Sequence, residues 1–376
     1  MSPSPIERVT LDLRARHEHA EQTGLRDANA LTLRTRLGLT TTPWRGWQAT
    51  IEAENIVAAD GDAYNQSGLN PGGAGRVVIA DPEVTELNQA FVRYRAGDTA
   101  VAVGRQRLVL DQARFIGDVG WRQNAQTFDA VTLVDRSLDQ TTLTLAYIDR
   151  VNRILGRDHA QGVWDSESYV AHAAYAGLPA KTVLTGYAYL LDFDQAAAQG
   201  TATYGASVTG APKLRNGAVL SYRAEFAWQT DHGSSALDYG AGYGAAEFAV
   251  QRDGRSLGVV AEVLGADGGA AFRTPLATLH AFNGWADLFT TTPAAGLRDV
   301  SLRGTATLPA QIKFAARHHW FASENGDVRY GRELDLQASR LLAPGVTALV
   351  KYARFKPDAA GWPDVTKWWI QVEYVR

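Results

Sequence analysis

The chain has 376 residues, with 37 Lys and Arg against 40 Asp and Glu, a net charge of -3, 45% hydrophobic residues and no cysteine. The balanced charge excludes a protein that binds nucleic acid or an anionic surface by bulk electrostatics, and the missing cysteines exclude zinc ribbons, thiol nucleophiles and disulfide scaffolds while suiting an oxidising periplasm. No run approaches the ~20 apolar residues of a spanning helix, so a helical membrane protein is excluded as well.

The start, Met1-Ser2-Pro3-Ser4-Pro5, lacks the charged and apolar regions of a secretory signal and reads as a chain whose export signal has been removed. From there, short amphipathic runs alternate with two kinds of connection. Tight ones at 42–46, 96–98, 136–139, 177–180, 211–217, 252–255, 308–310 and 342–345 each carry the Pro, Gly, Asn or Asp of a hairpin reversal. Longer ones lie near 20–28, 58–87, 108–125, 152–165, 193–199, 231–238, 266–297, 322–327 and 357–366. This beat predicts an all-β fold: a transmembrane antiparallel up-and-down β-barrel of about eighteen strands, with short periplasmic turns and long extracellular loops. It forms one domain over 1–376, is placed in the bacterial outer membrane, and encloses a pore.

Side chains alternate across a strand, so one parity meets lipid and the other the lumen. Leu31, Leu33, Leu37 and Leu39 alternate with Thr32, Arg34, Arg36 and Gly38, and Trp47, Ala49, Ile51 and Ala53 with Gln48, Thr50, Glu52 and Glu54. Later strands set Val92 and Tyr94 against Arg93 and Arg95, Phe226 and Trp228 against Arg223 and Glu225, and Val300 and Leu302 against Ser301 and Arg303. An Arg or Lys on the lipid face costs roughly 2–4 kcal/mol at the midplane, which turns these charges inward. A soluble sandwich with the charges outside is the competing reading, but it needs a second layer over the apolar face that no segment supplies. Trp47, Tyr94, Tyr175, Phe314 and Tyr374 near the short turns, and Tyr189, Trp228, Trp320 and Trp368 near the loops, are expected to form two interfacial girdles.

A barrel of this strand number leaves an aqueous channel. Its expected lining includes Arg14, Arg16, Arg34, Arg36, Arg93, Arg95, Arg223, Arg303, Lys313, Arg317 and Lys351, against Asp12, Glu52, Glu54, Glu225, Glu333, Asp335 and Glu373. The basic excess predicts an anion-selective pore. The segments 58–87 and 266–297 are too long for reversals, and at least one is expected to fold over or into the lumen.

Two segments carry a family resemblance. One runs from Val103-Gly104-Arg105-Gln106-Arg107 through Arg114-Phe115-Ile116-Gly117 and Trp121-Arg122-Gln123-Asn124 to Gln126-Thr127-Phe128-Asp129-Ala130. The other spans Phe272 to Asp287 and includes His280-Ala281-Phe282-Asn283-Gly284-Trp285-Ala286-Asp287. Both resemble the alginate export family of outer-membrane porins, which implies an eighteen-stranded barrel exporting or passing anionic solutes or polysaccharide. It also implies constriction roles for Arg105, Arg114, Arg122 and Asp129, with a loop-bracing ion-pair network as the alternative. The chain departs from the family in its short 342–345 turn, where alginate exporters carry a longer periplasmic plug segment, and in its non-aromatic end at Tyr374-Val375-Arg376.

A general diffusion porin and a barrel enzyme are the other readings. No G-x-S-x-G or H-E-x-x-H occurs. His318 and His319 point to opposite faces, and His17 and His19 share a face without a third ligand. The expectation is therefore a non-enzymatic, monomeric channel without metal or cofactor, whose partners are membrane lipid or detergent and an anionic small molecule or polysaccharide, not nucleic acid.

Overall fold

The computed structural model describes residues 5–376. Met1 to Ser4, on which the reading of a removed export signal rests, lie outside the described residues. The strands are β1 (Ile6–Gln22), β2 (Ala28–Thr41), β3 (Trp47–Ala58), β4 (Val84–Ala96), β5 (Thr99–Gln106), β6 (Thr127–Asp135), β7 (Thr141–Asn152), β8 (Val163–Leu178), β9 (Thr182–Leu191) and β10 (Thr201–Gly210). They continue with β11 (Val219–Asp231), β12 (Gly240–Arg252), β13 (Arg255–Leu264), the short hairpin β14 (Ala266–Asp267) and β15 (Ala270–Ala271), β16 (Leu297–Leu308), β17 (Ile312–Ala322), β18 (Arg329–Ala343), β19 (Val346–Pro357) and β20 (Val365–Val375).

All but β14 and β15 join one eighteen-stranded sheet in which every strand pairs antiparallel with its chain neighbours. β1 also pairs with β20, from Asp12 against Val375 to Gln22 against Val365, and this seam closes the barrel. The eight tight reversals and nine long connections fall where the sequence puts them. In the turn after β2, Arg45 and Gly46 take left-handed conformations, and a Cβ on Gly46 would lie 2.5 Å from the Arg95 carbonyl oxygen.

The outer face is a belt of exposed apolar side chains, among them Leu37 at 57%, Phe226 at 62%, Leu257 and Val350. A surface so apolar is stable only against lipid. Alternation holds along most strands, with two consequences for the expected faces. Tyr189 is corrected: it shares its parity with buried Thr185 and Tyr187, not with exposed Leu184, and packs inside the lumen beside Phe115. In β4 the register against β3 shifts between Glu52 and Ala53, so Asn88 is an extra residue. This bulge keeps Glu86 on the Glu54 side and Phe91 and Arg93 on the Glu52 side, a switch that strict alternation does not anticipate.

The buried core lies inside the barrel. Three long loops turn inward: 59–83, 107–126 and 265–296. Phe115 packs against Tyr187, Tyr243 and Phe272, linking β9 and β12 to the second and third inward loops. Gly117 N–H donates to the Leu276 carbonyl at 2.9 Å and Thr278 N–H to that of Ala113 at 2.9 Å, so the two loops hydrogen-bond to each other along their backbones.

Candidate functional site: the loop-filled lumen

Antiparallel register sets the charged wall around the seam. Arg14 lies opposite both Arg34 and Glu373, and Arg36 opposite both Asp12 and Glu54. Like charges facing each other need acids between them. Glu373 accepts from Arg14 Nε at 2.8 Å and from Arg34 Nη2 at 3.1 Å, Asp12 accepts from Arg34 at 2.5 Å, and Arg36 pairs with Glu54. Remaining guanidinium donors turn to loop carbonyls. Arg14 reaches Gly120, Trp121 and Arg122 at 3.2–3.3 Å, Arg16 reaches Trp121 at 2.7 Å, and Arg36 reaches Gln123 at 3.2 Å. Asp81 of the first inward loop accepts from Gln123 N–H at 2.8 Å and from Arg16 at 3.4 Å. A backbone segment crossing a polar lumen thus has its carbonyls satisfied by the wall.

The second anchor is aromatic. Trp121 stacks on His280 with centroids 4.6 Å apart and planes 4° from parallel. Lys351 Nζ lies 4.0 Å from the Trp121 centroid and 3.6 Å from that of Trp285, and 2.6 Å from His280 Nε2. A lysine ammonium has only donors, so Nε2 accepts and Nδ1–H donates to Asp287 Oδ1 at 2.7 Å. Burial holds His280 neutral, with its pKa well below 6.5; Asp287 opposes this and Lys351 adds to it. Asp287 also accepts from Arg122 at 2.8 Å and Lys367 at 3.1 Å. Burial works against its charge, yet His280, Lys367 and Arg122 hold its pKa well below 3.8.

The third anchor is Arg114. It is bidentate to Glu262, at 2.7 and 3.2 Å, and donates to Thr274 and Asn283. Its guanidinium lies 4.8 Å from the Phe282 centroid. Burial disfavours the charge, but Glu262 and then Tyr243 outweigh it, so its pKa is raised.

Cavities flank this node. A loop-side cavity of about 520 Å³ is lined by Arg114, Arg153 and Arg273, by Thr290 to Thr292, and by Trp164 and Phe289, with no acid among the described residues of its wall. A neighbouring one of about 380 Å³ holds Arg122, Arg153, Lys367, His280 and Asp287. Toward the short turns, a smaller cavity of about 130 Å³ is lined by Asp111, Arg114, Arg223 and Glu225. Arg114 lines both the first and the last.

Arg14, Arg34, Arg36, Glu52, Glu54, Arg93, Arg223, Arg303, Arg317 and Lys351 lie on the inward parity of their strands. Glu52 accepts from Asn88 and Arg107, Arg303 donates to Ser301, and Arg317 donates to the Ala281 carbonyl at 3.3 Å. Arg95 and Lys313 share that parity near the short-turn rim. Arg105 and Asp129 are corrected in position. They form a cross-strand pair, at 2.7 and 2.9 Å, on the parity of exposed Val103 and Val131, whereas Gln106, Phe128 and Ala130 point inward. This pair braces the outer wall near the loops.

The wall also carries acids outside the expected lining: Glu18, Glu86, Glu247, Glu262 and Asp299. They largely cancel the expected basic excess, so any selectivity must come from where unpaired charge faces a cavity. Arg153 and Arg273, also missed, do so. Among the described residues neither forms an ion pair, and the Nε of each is buried without a partner. Lying in loops, they carry no alternation signal. His280 and Asp287 sat in a quoted motif, but nothing in the pattern paired them with Lys351.

A closed antiparallel barrel of eighteen strands with a lipid-facing belt is an outer-membrane porin fold, and it places the chain in the bacterial outer membrane. The model of the alginate export family matches residues 7–146, in line with the resemblance. OccK9 (OpdG) of Pseudomonas aeruginosa is similar over 98% of this chain and 98% of its own, with a TM-score of 0.77 and 17% identity. OpdK of the same organism is similar over 98% and 99%, with a TM-score of 0.76 and 14% identity. OpdK with vanillate has a TM-score of 0.74, with 14% identity and coverage of 98% and 99%. None of the curated proteins compared matches the chain.

Proposed function

We propose that the chain is a monomeric, single-domain, non-enzymatic channel for small anionic solutes. They pass from the loop-side cavity across Arg114 to the cavity near the short turns. The observation that carries this reading is that Arg114 lines both cavities, with Arg153 and Arg273, which form no ion pair among the described residues, on one side and the Arg223–Glu225 pair on the other. Guanidinium groups facing a cavity without a neighbouring acid attract carboxylates and can bind them bidentately. Three inward loops leave spaces suited to a small molecule more than to an extended polysaccharide.

The test is the reversal potential in a planar bilayer under a salt gradient. Anion preference is expected, weakening as salt screens the arginines, and R153Q with R273Q should reduce it. Cation preference in the wild-type channel would overturn the reading. Absence of selectivity would favour a general diffusion porin, and block by an anionic polysaccharide from one side only would favour polymer export.

A further inference from the structure

The outward face of β16 to β19 carries a cluster of basic residues at its loop-side end, next to the apolar belt. Arg298, Arg329, Arg332, Arg354 and Lys356 are exposed on the loop-side ends of these strands. They share the outward parity of Val300, Trp320, Leu334 and Val350. The ladder places Arg332 opposite both Trp320 and Lys356, and Arg354 opposite Leu334. Arg298, Arg329 and Arg332 line an outer cleft of about 920 Å³ whose floor is Val300 and Trp320.

Depth fixes what this cleft meets. Arg332 is eleven residues from the end of β18 at Ala343. At ~3.3 Å per residue and a tilt near 40°, it stands roughly 28 Å along the membrane normal from the short-turn rim. An apolar band about 25 Å tall puts it at the headgroups of the outer leaflet. Three acids are nearby: Asp358 lies 3.4 Å from Arg332, Asp364 lies 3.9 Å from Arg354, and Asp327 is in the cleft. Basic charge exceeds them. On other sectors of the same rim the exposed outward residues include Glu21, Asp149 and Glu167, while Arg105 and Arg150 are each paired to an aspartate. The positive charge is therefore local to one sector and sits directly above an apolar and tryptophan surface.

We infer that this sector is a binding site for a phosphorylated glycolipid of the outer leaflet. Acyl chains lie on Val300, Trp320 and Leu334, and phosphate groups are held by Arg298, Arg332 and Arg354. The outer leaflet of a bacterial outer membrane presents such phosphates to the barrel, and guanidinium is suited to them as a planar, multi-donor cation. The site faces away from the lumen, so it is independent of the solute pathway.

The test compares purified wild-type barrel with R298Q/R332Q/R354Q and with the opposite-sector control R105Q/R150Q. Retention of bis-phosphorylated lipid A and of its dephosphorylated form is measured by native mass spectrometry and by titration in detergent. The wild type and control should retain the phosphorylated lipid, while the triple variant loses about a hundredfold in affinity, from the loss of roughly fivefold per charge. Dephosphorylated lipid A should bind the wild type as weakly as the phosphorylated form binds the triple variant. An unheated electrophoretic mobility equal to wild type shows that the variant is folded. Equal binding by folded triple variant and wild type, or equal binding of the two lipid forms, would overturn the proposal.

Discussion

Glu262 keeps a buried guanidinium charged in the middle of the lumen, and in turn accepts from Tyr243 at 2.7 Å and Asn283 at 2.6 Å. Removing one partner of such a pair costs more than forming it gains, about 3–5 kcal/mol for a fully buried one. E262A should therefore undock the Arg114 segment while the barrel stays closed. Amide exchange across 112–118 and 272–283 should rise with heat-modifiable mobility unchanged; unchanged exchange would show that aromatic packing alone holds the loops. His280 adds a pH dependence. Its pKa is depressed when docked, so the undocked loop binds a proton more readily once pH falls below about 6.5. Asp287 is depressed as well, so its contribution is present above about 3.8 and is lost as pH falls further. Both act in one direction: docking weakens on acidification, beginning below pH 6.5. Exchange protection over 276–288 should fall between pH 7 and 5 in the wild type, and less in H280Q.

The inward loops were only partly legible. Length marked 58–87 and 266–297 as more than reversals, and both fold inward, but 107–126 contacts the widest arc of wall, from His172 on β8 to Trp369 on β20. Nothing in its periodicity says so, because a loop's partners are set by a closed wall that brings distant strands round it. Strands fared better, since lipid on one side and water on the other impose alternation directly. That rule failed where backbone geometry intervened, at the Asn88 bulge; at Arg105 and Asp129 alternation holds, but charge no longer has to turn inward because the strand ends rise past the membrane. Replacing 111–124 with a short Gly-Ser linker should raise single-channel conductance several-fold, and more than deletion of 60–82, which acts on the core of the plug mainly through Asp81. Wild-type conductance in both variants would place the constriction on wall residues such as Arg93 and Arg303.

Across the whole barrel, the lipid belt is the feature most firmly tied to sequence, because every outward position is independently constrained. Leu37 is outward and four residues from the short-turn end of β2, which puts it roughly 10 Å into an apolar band about 25 Å tall, near the midplane. L37R should cost roughly 2–4 kcal/mol of stability in bilayers, measured by denaturant unfolding in vesicles. A cost near zero would move Leu37 out of the hydrocarbon. The candidate passage was less legible, since its opposing charges come from loops and walls hundreds of residues apart.

The seam between β1 and β20 also dictates an order of events. Arg14 and Arg16 hold the 120–122 carbonyls only alongside Glu373 and Gln371, which arrive with the final strand. These partners are the most distant in the chain, so ring closure waits for the longest entropic search. The plug has no complete seat before that moment. Loop docking is thus a post-closure step. In time-resolved refolding, tryptophan burial at Trp121 and Trp369 should trail strand formation, leaving a transient barrel that is closed, membrane-embedded and wide open.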